Sequence, residues 1–258
     1  MTHCTLLSQV VGMNESLLLV KTPFEKSLAQ RIKYACSILD IVSASQIHVP
    51  KNQLDDTDGL QRALESYSRL STQYFNVFEK YFKAATERKS LIKGAGQSVK
   101  QTAQLIARCV SSDLTIDKPL RKQISTLYRM IYTQNRLNAP YDFSRPSYNQ
   151  DVHDYFHSNQ VILDVFKEMV GLLDTYMFSG PKQQFSLSHC YLLISEMEMF
   201  HAEISVLTGK LNVLNTERLE IFDRIAERCE AICNRSRFIF GASSPTFKLI
   251  KRRRLSVR

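Results

Sequence analysis

A chain of 258 residues with 44% hydrophobic and 23% charged side chains has enough apolar material for a substantial core, which excludes a disordered polymer. The formal charge is +9, but six cations (Lys248, Lys251, Arg252, Arg253, Arg254 and Arg258) crowd the last thirteen residues without an acid, leaving 9 − 6 = +3 for the body. That balance points to an anionic partner, whether a membrane surface, nucleic acid or an import receptor; no window approaches the roughly 20 apolar residues of a bilayer-spanning helix.

Eight Gly and seven Pro fall between long periodic segments, which is the punctuation of helices. The expectation is an all-α chain forming a single helical bundle of about six to eight helices. It divides into an N-terminal arm or short helix (1–22), a helical domain (23–238) and a disordered basic tail (239–258). The apolar runs 6–11 and 17–20 have no basic region before them and are interrupted by Gly12, Asn14 and Glu15, so no signal peptide is expected. The six cysteines are scattered without CxxC pairs and read as free thiols in a reducing compartment.

From Pro23, suited to a first helical turn, apolar residues recur at Phe24, Leu28, Ile32, Ala35, Leu39 and Val42. Lys26, Arg31 and Lys33 occupy the other face, either as a solvated surface or as a contact to lipid headgroups or a partner. After a linker at 48–52, Asp56 or Thr57 can cap a long helix to about residue 88. Six aromatics between Tyr67 and Phe82 fall at helical spacing among Glu65, Glu79 and Glu87, which favours core packing over base stacking.

Residues 91–110 predict a basic amphipathic helix with Ile92, Val99, Leu105, Ile106 and Cys109 inward. Gly94 and Gly96 weaken its start; GAGQS lacks the order of a phosphate loop, so these glycines either permit a close crossing or mark a break. A second such helix, 117–136, turns Leu120, Ile124, Leu127, Tyr128 and Ile131 inward, while Arg121, Lys122, Arg129 and Arg136 meet no acid after Asp117. A Pro-aromatic corner, 138–146, comes next with Tyr141 and Phe143. The next helix begins near Asn149 or Asp151 and carries Ile162, Val165, Phe166, Met169, Leu173 and Tyr176 as core candidates. Residues 183–210 predict another, with Leu192, Leu193, Met197, Ile204 and Leu207 inward, and 215–235 a last one capped by Asn215 or Thr216.

Chemistry is sparse. His153 and His157 at i, i+4 could share a face with Asp151 and Asp154, but the HExxH glutamate is missing. Glu198-x-x-His201 matches one half of a di-metal motif whose second copy does not occur. No nucleophile motif is present, so the expectation is a protein without enzymatic activity and without a cofactor. In the tail, Lys251, Arg252, Arg253 and Arg254 have the form of an import signal, and Ser256 that of a basophilic kinase site, where a phosphate would weaken electrostatic contacts.

Ser27-Leu28-Ala29-Gln30, Asp55-Asp56-Thr57, Leu91-Ile92-Lys93 and Tyr141-Asp142-Phe143, with the helices between Phe200 and Cys233, resemble the TIPE family, the tumour necrosis factor alpha-induced protein eight-like proteins, over residues 24 to about 235. The resemblance implies an elongated apolar cavity for lipid tails, a cationic rim for phosphoinositide headgroups, and roles in apoptosis and inflammatory signalling from the cytoplasm. On this chain the rim would be Arg108, Arg121 and Lys122, and the basic face of the leading helix Lys26, Arg31 and Lys33. The chain departs from the family in a one-residue shift at Arg108, in the longer 58–89 segment and in the tail. Two other readings stand beside it: a helical scaffold, of coiled-coil or membrane-curving type, pairing through 60–82, and a nuclear factor holding nucleic acid through Lys251 to Arg254, with a nuclear pool in consequence.

Overall fold

The computed structural model describes residues 23–45, 54, 56–133, 148–176 and 186–252, without the side chains of 23, 24 and 148–158. The described residues form seven helices and no strand: α1 (Pro23–Ala44), α2 (Thr57–Lys93), α3 (Val99–Ser112), α4 (Lys118–Thr133), α5 (Tyr148–Thr175), α6 (Leu187–Phe240) and α7 (Pro245–Lys251). The all-α class is as expected. No helix among the described residues is long and apolar enough to cross a membrane.

By its internal contacts the chain divides into two compact units. Unit 1 comprises Met1–Val77, Asp142–Arg145 and Lys210–Arg258, and unit 2 comprises Phe78–Tyr141 and Pro146–Gly209. Helices α2 and α6, 37 and 54 residues long, each contribute to both units.

In unit 2, α3 packs on α4 and α5, and α4 packs on α5. Their apolar stripes supply Ile106, Ile124, Ile131, Phe166 and Met169, all fully buried, to a core completed by Ile92 and Met197. Burial of each such side chain contributes about 1.5–3 kcal/mol. In unit 1, α1 sets Leu28, Ala35, Ile38 and Val42 against Leu60 and Tyr67 of α2 and Phe222, Ile225 and Ile232 of α6. The aromatic stripe of α2 is core, as its spacing suggests: Tyr67, Tyr74, Phe78 and Tyr81 are buried.

The sequence boundaries shift where local signals compete with packing. The Asp56 carboxylate accepts from the Asp58 amide at 3.1 Å and caps α2, as its position suggests. Gly94 and Gly96 mark a break: Gly96 has φ +108°, which favours glycine, and Ser98 caps α3 through a hydrogen bond from the Gln101 amide. The two helices expected over 183–210 and 215–235 are one, α6. Asn215 and Thr216 do not cap there, because Leu211 is buried and carries the stripe through, while the Thr216 hydroxyl donates back to the Asn212 carbonyl. Leu192 and Tyr176 are exposed rather than inward.

Within the tail expected to lack structure from residue 239, residues 239 and 240 end α6 and Pro245–Lys251 form α7, which packs on α1. Pro245 opens it, and Phe247 and Ile250 bury in the unit 1 core. Arg253, Arg254 and Ser256 lie outside the described residues, as do the 48–52 linker, the corner with Tyr141 and Phe143, and the side chains of His153 and His157. Cys36, Cys109, Cys190, Cys229 and Cys233 are free thiols. Burial pushes Cys190 up to about 11 and Cys229 up to about 12, so both remain protonated and pack as small apolar groups.

Candidate anion-binding surface

The α3–α4 hairpin is built from two helices that each turn one apolar stripe to the core, with Met130 and Tyr132 left exposed. Buried Val99, Thr102, Ala103, Ile106 and Val110 line α3, and Leu120, Ile124, Leu127 and Ile131 line α4. With that spacing filled by core, every charged residue is displaced to the flanks or the outer face. The hairpin carries six cations (Lys100, Arg108, Lys118, Arg121, Lys122 and Arg129) and two acids, Asp113 and Asp117, both in the turn between the helices.

Lys118, Lys122 and Arg129 stand at i, i+4 and i+11 and therefore share a face of α4 roughly opposite its buried stripe. All three are exposed, as is Arg108 on α3. Arg121 is half-buried, and its Nε has no hydrogen-bond partner. The acids are occupied locally. Asp113 Oδ1 accepts from the Thr115 amide at 2.9 Å and from its hydroxyl at 2.6 Å, and these bonds, helped by Arg121, hold the carboxyl below its usual range.

Lys100 ties the two helices together. Its Nζ donates to the Tyr132 carbonyl at 3.1 Å, in the last turn of α4, and sits 5.3 Å from the centre of the Tyr132 ring. Desolvation, reinforced by Lys93, lowers its pKa to about 8. Lys93, at the end of α2, is lowered as well, by desolvation and then by Lys89. Lys93 and Lys100 thus lie close enough to feel each other's charge, and an anion bound beside them would raise both pKa values again.

Of the residues singled out in the sequence, Arg108, Arg121 and Lys122 fall together on this hairpin in unit 2. Lys26, Arg31 and Lys33 belong to α1 in unit 1, where Lys26 and Lys33 are exposed and the Arg31 guanidinium lies 5.8 Å from the Phe222 ring centre. Lys251 and Arg252 are exposed at the end of α7. Glu198 and His201 do not converge as ligands: Glu198 forms an ion pair with Lys167, and desolvation and Arg88 lower the His201 pKa. Among the described residues no three His, Cys, Asp or Glu side chains group as a metal site.

Sequence reasoning missed two buried arginines, Arg88 and Arg218. Arg218 of α6 donates through both terminal nitrogens to Glu25 of α1, one bond at 3.1 Å, and to Asn215 Oδ1 at 2.9 Å, with its guanidinium 4.2 Å from the Tyr74 ring centre. Desolvation opposes its charge, yet Glu25, Tyr67 and Tyr74 outweigh it and raise the pKa. The available signal was periodic: Arg88 and Arg218 both occupy core positions of their helices. Comparisons of the chain with protein-family models, curated proteins and solved structures find no match.

Proposed function

We propose that the protein is a non-enzymatic helical protein that binds an anionic membrane surface through the α3–α4 hairpin, with phosphoinositide headgroups as the preferred anion. The observation that carries this is the outer face of α4, where Lys118, Lys122 and Arg129 align without an ion pair to any described acid. Near an anionic leaflet each such cation contributes about 1 kcal/mol. The resemblance to TIPE proteins supports the same chemistry, with Arg108, Arg121 and Lys122 at the headgroup, and extends it to apoptosis and inflammatory signalling at the cytoplasmic side of a membrane.

Recognition on this reading is by headgroup. The cleft beside the hairpin turn, lined by Val110, Ile116, Asp117, Leu120, Leu173 and Tyr176, holds about 230 Å³, less than the roughly 300–1,000 Å³ usual for ligand pockets, and Asp117 opposes an anion there. Vesicle sedimentation tests the proposal. Binding to phosphatidylinositol bisphosphate vesicles is expected to exceed binding to neutral phosphatidylcholine, to weaken with salt, and to fall about tenfold in Lys118→Glu/Lys122→Glu/Arg129→Glu. Equal binding to both vesicles at low salt would remove the headgroup role. A scaffold pairing through the aromatics of α2 is disfavoured, because Tyr67, Tyr74, Phe78 and Tyr81 are already buried within the chain.

A further inference from the structure

Within unit 2, α6 shows solvent an apolar line that its own core does not use. Leu192, Met199 and Val206 are 55%, 57% and 58% exposed and succeed one another every seven residues. Ser195, Ala202 and Gly209, also exposed, keep the same step between them, so the line is flat and a second helix could approach closely. Gly209 has open space where a Cβ would stand, so nothing in this chain requires its smallness.

The line runs beside a cleft of about 420 Å³ to which Met199 also contributes, with Leu91 and Phe200 as apolar walls and Glu87 and Glu196 as the charged ones. Residues 187–209 contain Glu196, Glu198 and Glu203 and no Lys or Arg, in a chain of net charge +9. Glu198 is neutralised by Lys167, which leaves Glu196 and Glu203 beside the apolar line. The surface is thus a heptad-spaced apolar stripe with an acidic margin, opposite in sign to the rest of the molecule.

We infer that this face of α6 docks an amphipathic helix of a protein partner, one that presents apolar side chains at heptad spacing and Lys or Arg along its edges. The apolar line supplies contact area, and the carboxylates select the sign of the flanks. A second copy is the poorer occupant. Pairing this stretch with itself, in either direction, sets Glu beside Glu along the margins.

The test uses the full chain and two labelled helical peptides of about 21 residues, three heptads with Leu at the inner positions, flanked by Lys in one and by Glu in the other. Fluorescence anisotropy is expected to show the Lys-flanked peptide bound at least about tenfold more tightly than the Glu-flanked one. Met199→Asp/Val206→Asp should abolish binding, and Glu196→Lys/Glu203→Lys should exchange the preference, with circular dichroism unchanged because these side chains are exposed or half-exposed. Equal binding of the two peptides, or indifference to the variants, would overturn the proposal. A dimeric mass by light scattering that Met199→Asp/Val206→Asp converts to monomer would overturn it too, in favour of a second copy. Because α4 is untouched in these variants, vesicle binding serves as an independent readout of the hairpin.

Discussion

Leu211, Arg218, Ile225 and Ile232 succeed one another every seven residues along α6, and all four are buried, so a guanidinium occupies a position that the pattern assigns to an aliphatic side chain. It is tolerated because Glu25, 13% exposed on its side chain, takes both terminal nitrogens and Tyr74 covers the planar face. A buried ion pair adds little over an apolar pair of the same shape, but stranding one member is costly. Arg218→Met is therefore expected to destabilise by about 3–5 kcal/mol, while Arg218→Met/Glu25→Met recovers most of that loss; urea denaturation of the two variants distinguishes them. Arg218 itself was visible in the sequence as a misfit in an apolar series. Its partner was not, since Glu25 lies far away in the chain and only the packing of α1 on α6 brings the two together.

At the scale of the helices, periodicity located the elements but not which apolar face meets a neighbour. Ile106, Ile124 and Phe166 were legible as core because each helix there has a single apolar stripe. On α6 apolar residues at 192–194 follow one another round the helix, so Leu192 read as inward although the core takes Leu193, Ile194, Met197, Ile204 and Leu207 and leaves it exposed. Asn215 and Thr216 misled for a local reason: both are strong helix-starting residues, yet their side chains are engaged within the continuing helix. For the hairpin, the exposed cations Arg108, Lys122 and Arg129 were legible in the sequence, whereas the link from Lys100 to Tyr132 depends on the two helices lying side by side. Two helical glycines give a clean measurement. Gly171 and Gly209 are exposed with open space at the missing Cβ, so Gly171→Ala and Gly209→Ala should each stabilise the isolated protein by about 0.5–1 kcal/mol, seen as a rise in Tm. Gly96→Ala should do the reverse, because its φ of +108° is strained for a side chain.

The whole molecule shows a division that composition and periodicity do not announce, because the border falls inside α2 and α6 and no Gly- or Pro-rich linker marks it. Apart from the four residues 142–145, unit 2 is one continuous stretch, 78–209, whereas unit 1 is assembled from the chain segments on either side of that stretch. The unit 2 core is therefore closed over shorter loops, and the unit 1 core over one long loop, which carries the greater entropy cost. In refolding monitored by pulsed hydrogen exchange, the amides of α3, α4 and α5 are expected to gain protection before those of α1; simultaneous protection, or α1 first, would contradict this order. On a ribosome the same arrangement imposes a wait. Chains are made from the N-terminus, so α1 meets Leu60 and Tyr67 of α2 early, but the core around Leu28, Ile32 and Ala35 stays incomplete until Phe222, Ile225 and Phe247 have been added. The earliest of the described helices is among the last to be fully buried, and through that interval part of its apolar side is open to chaperones.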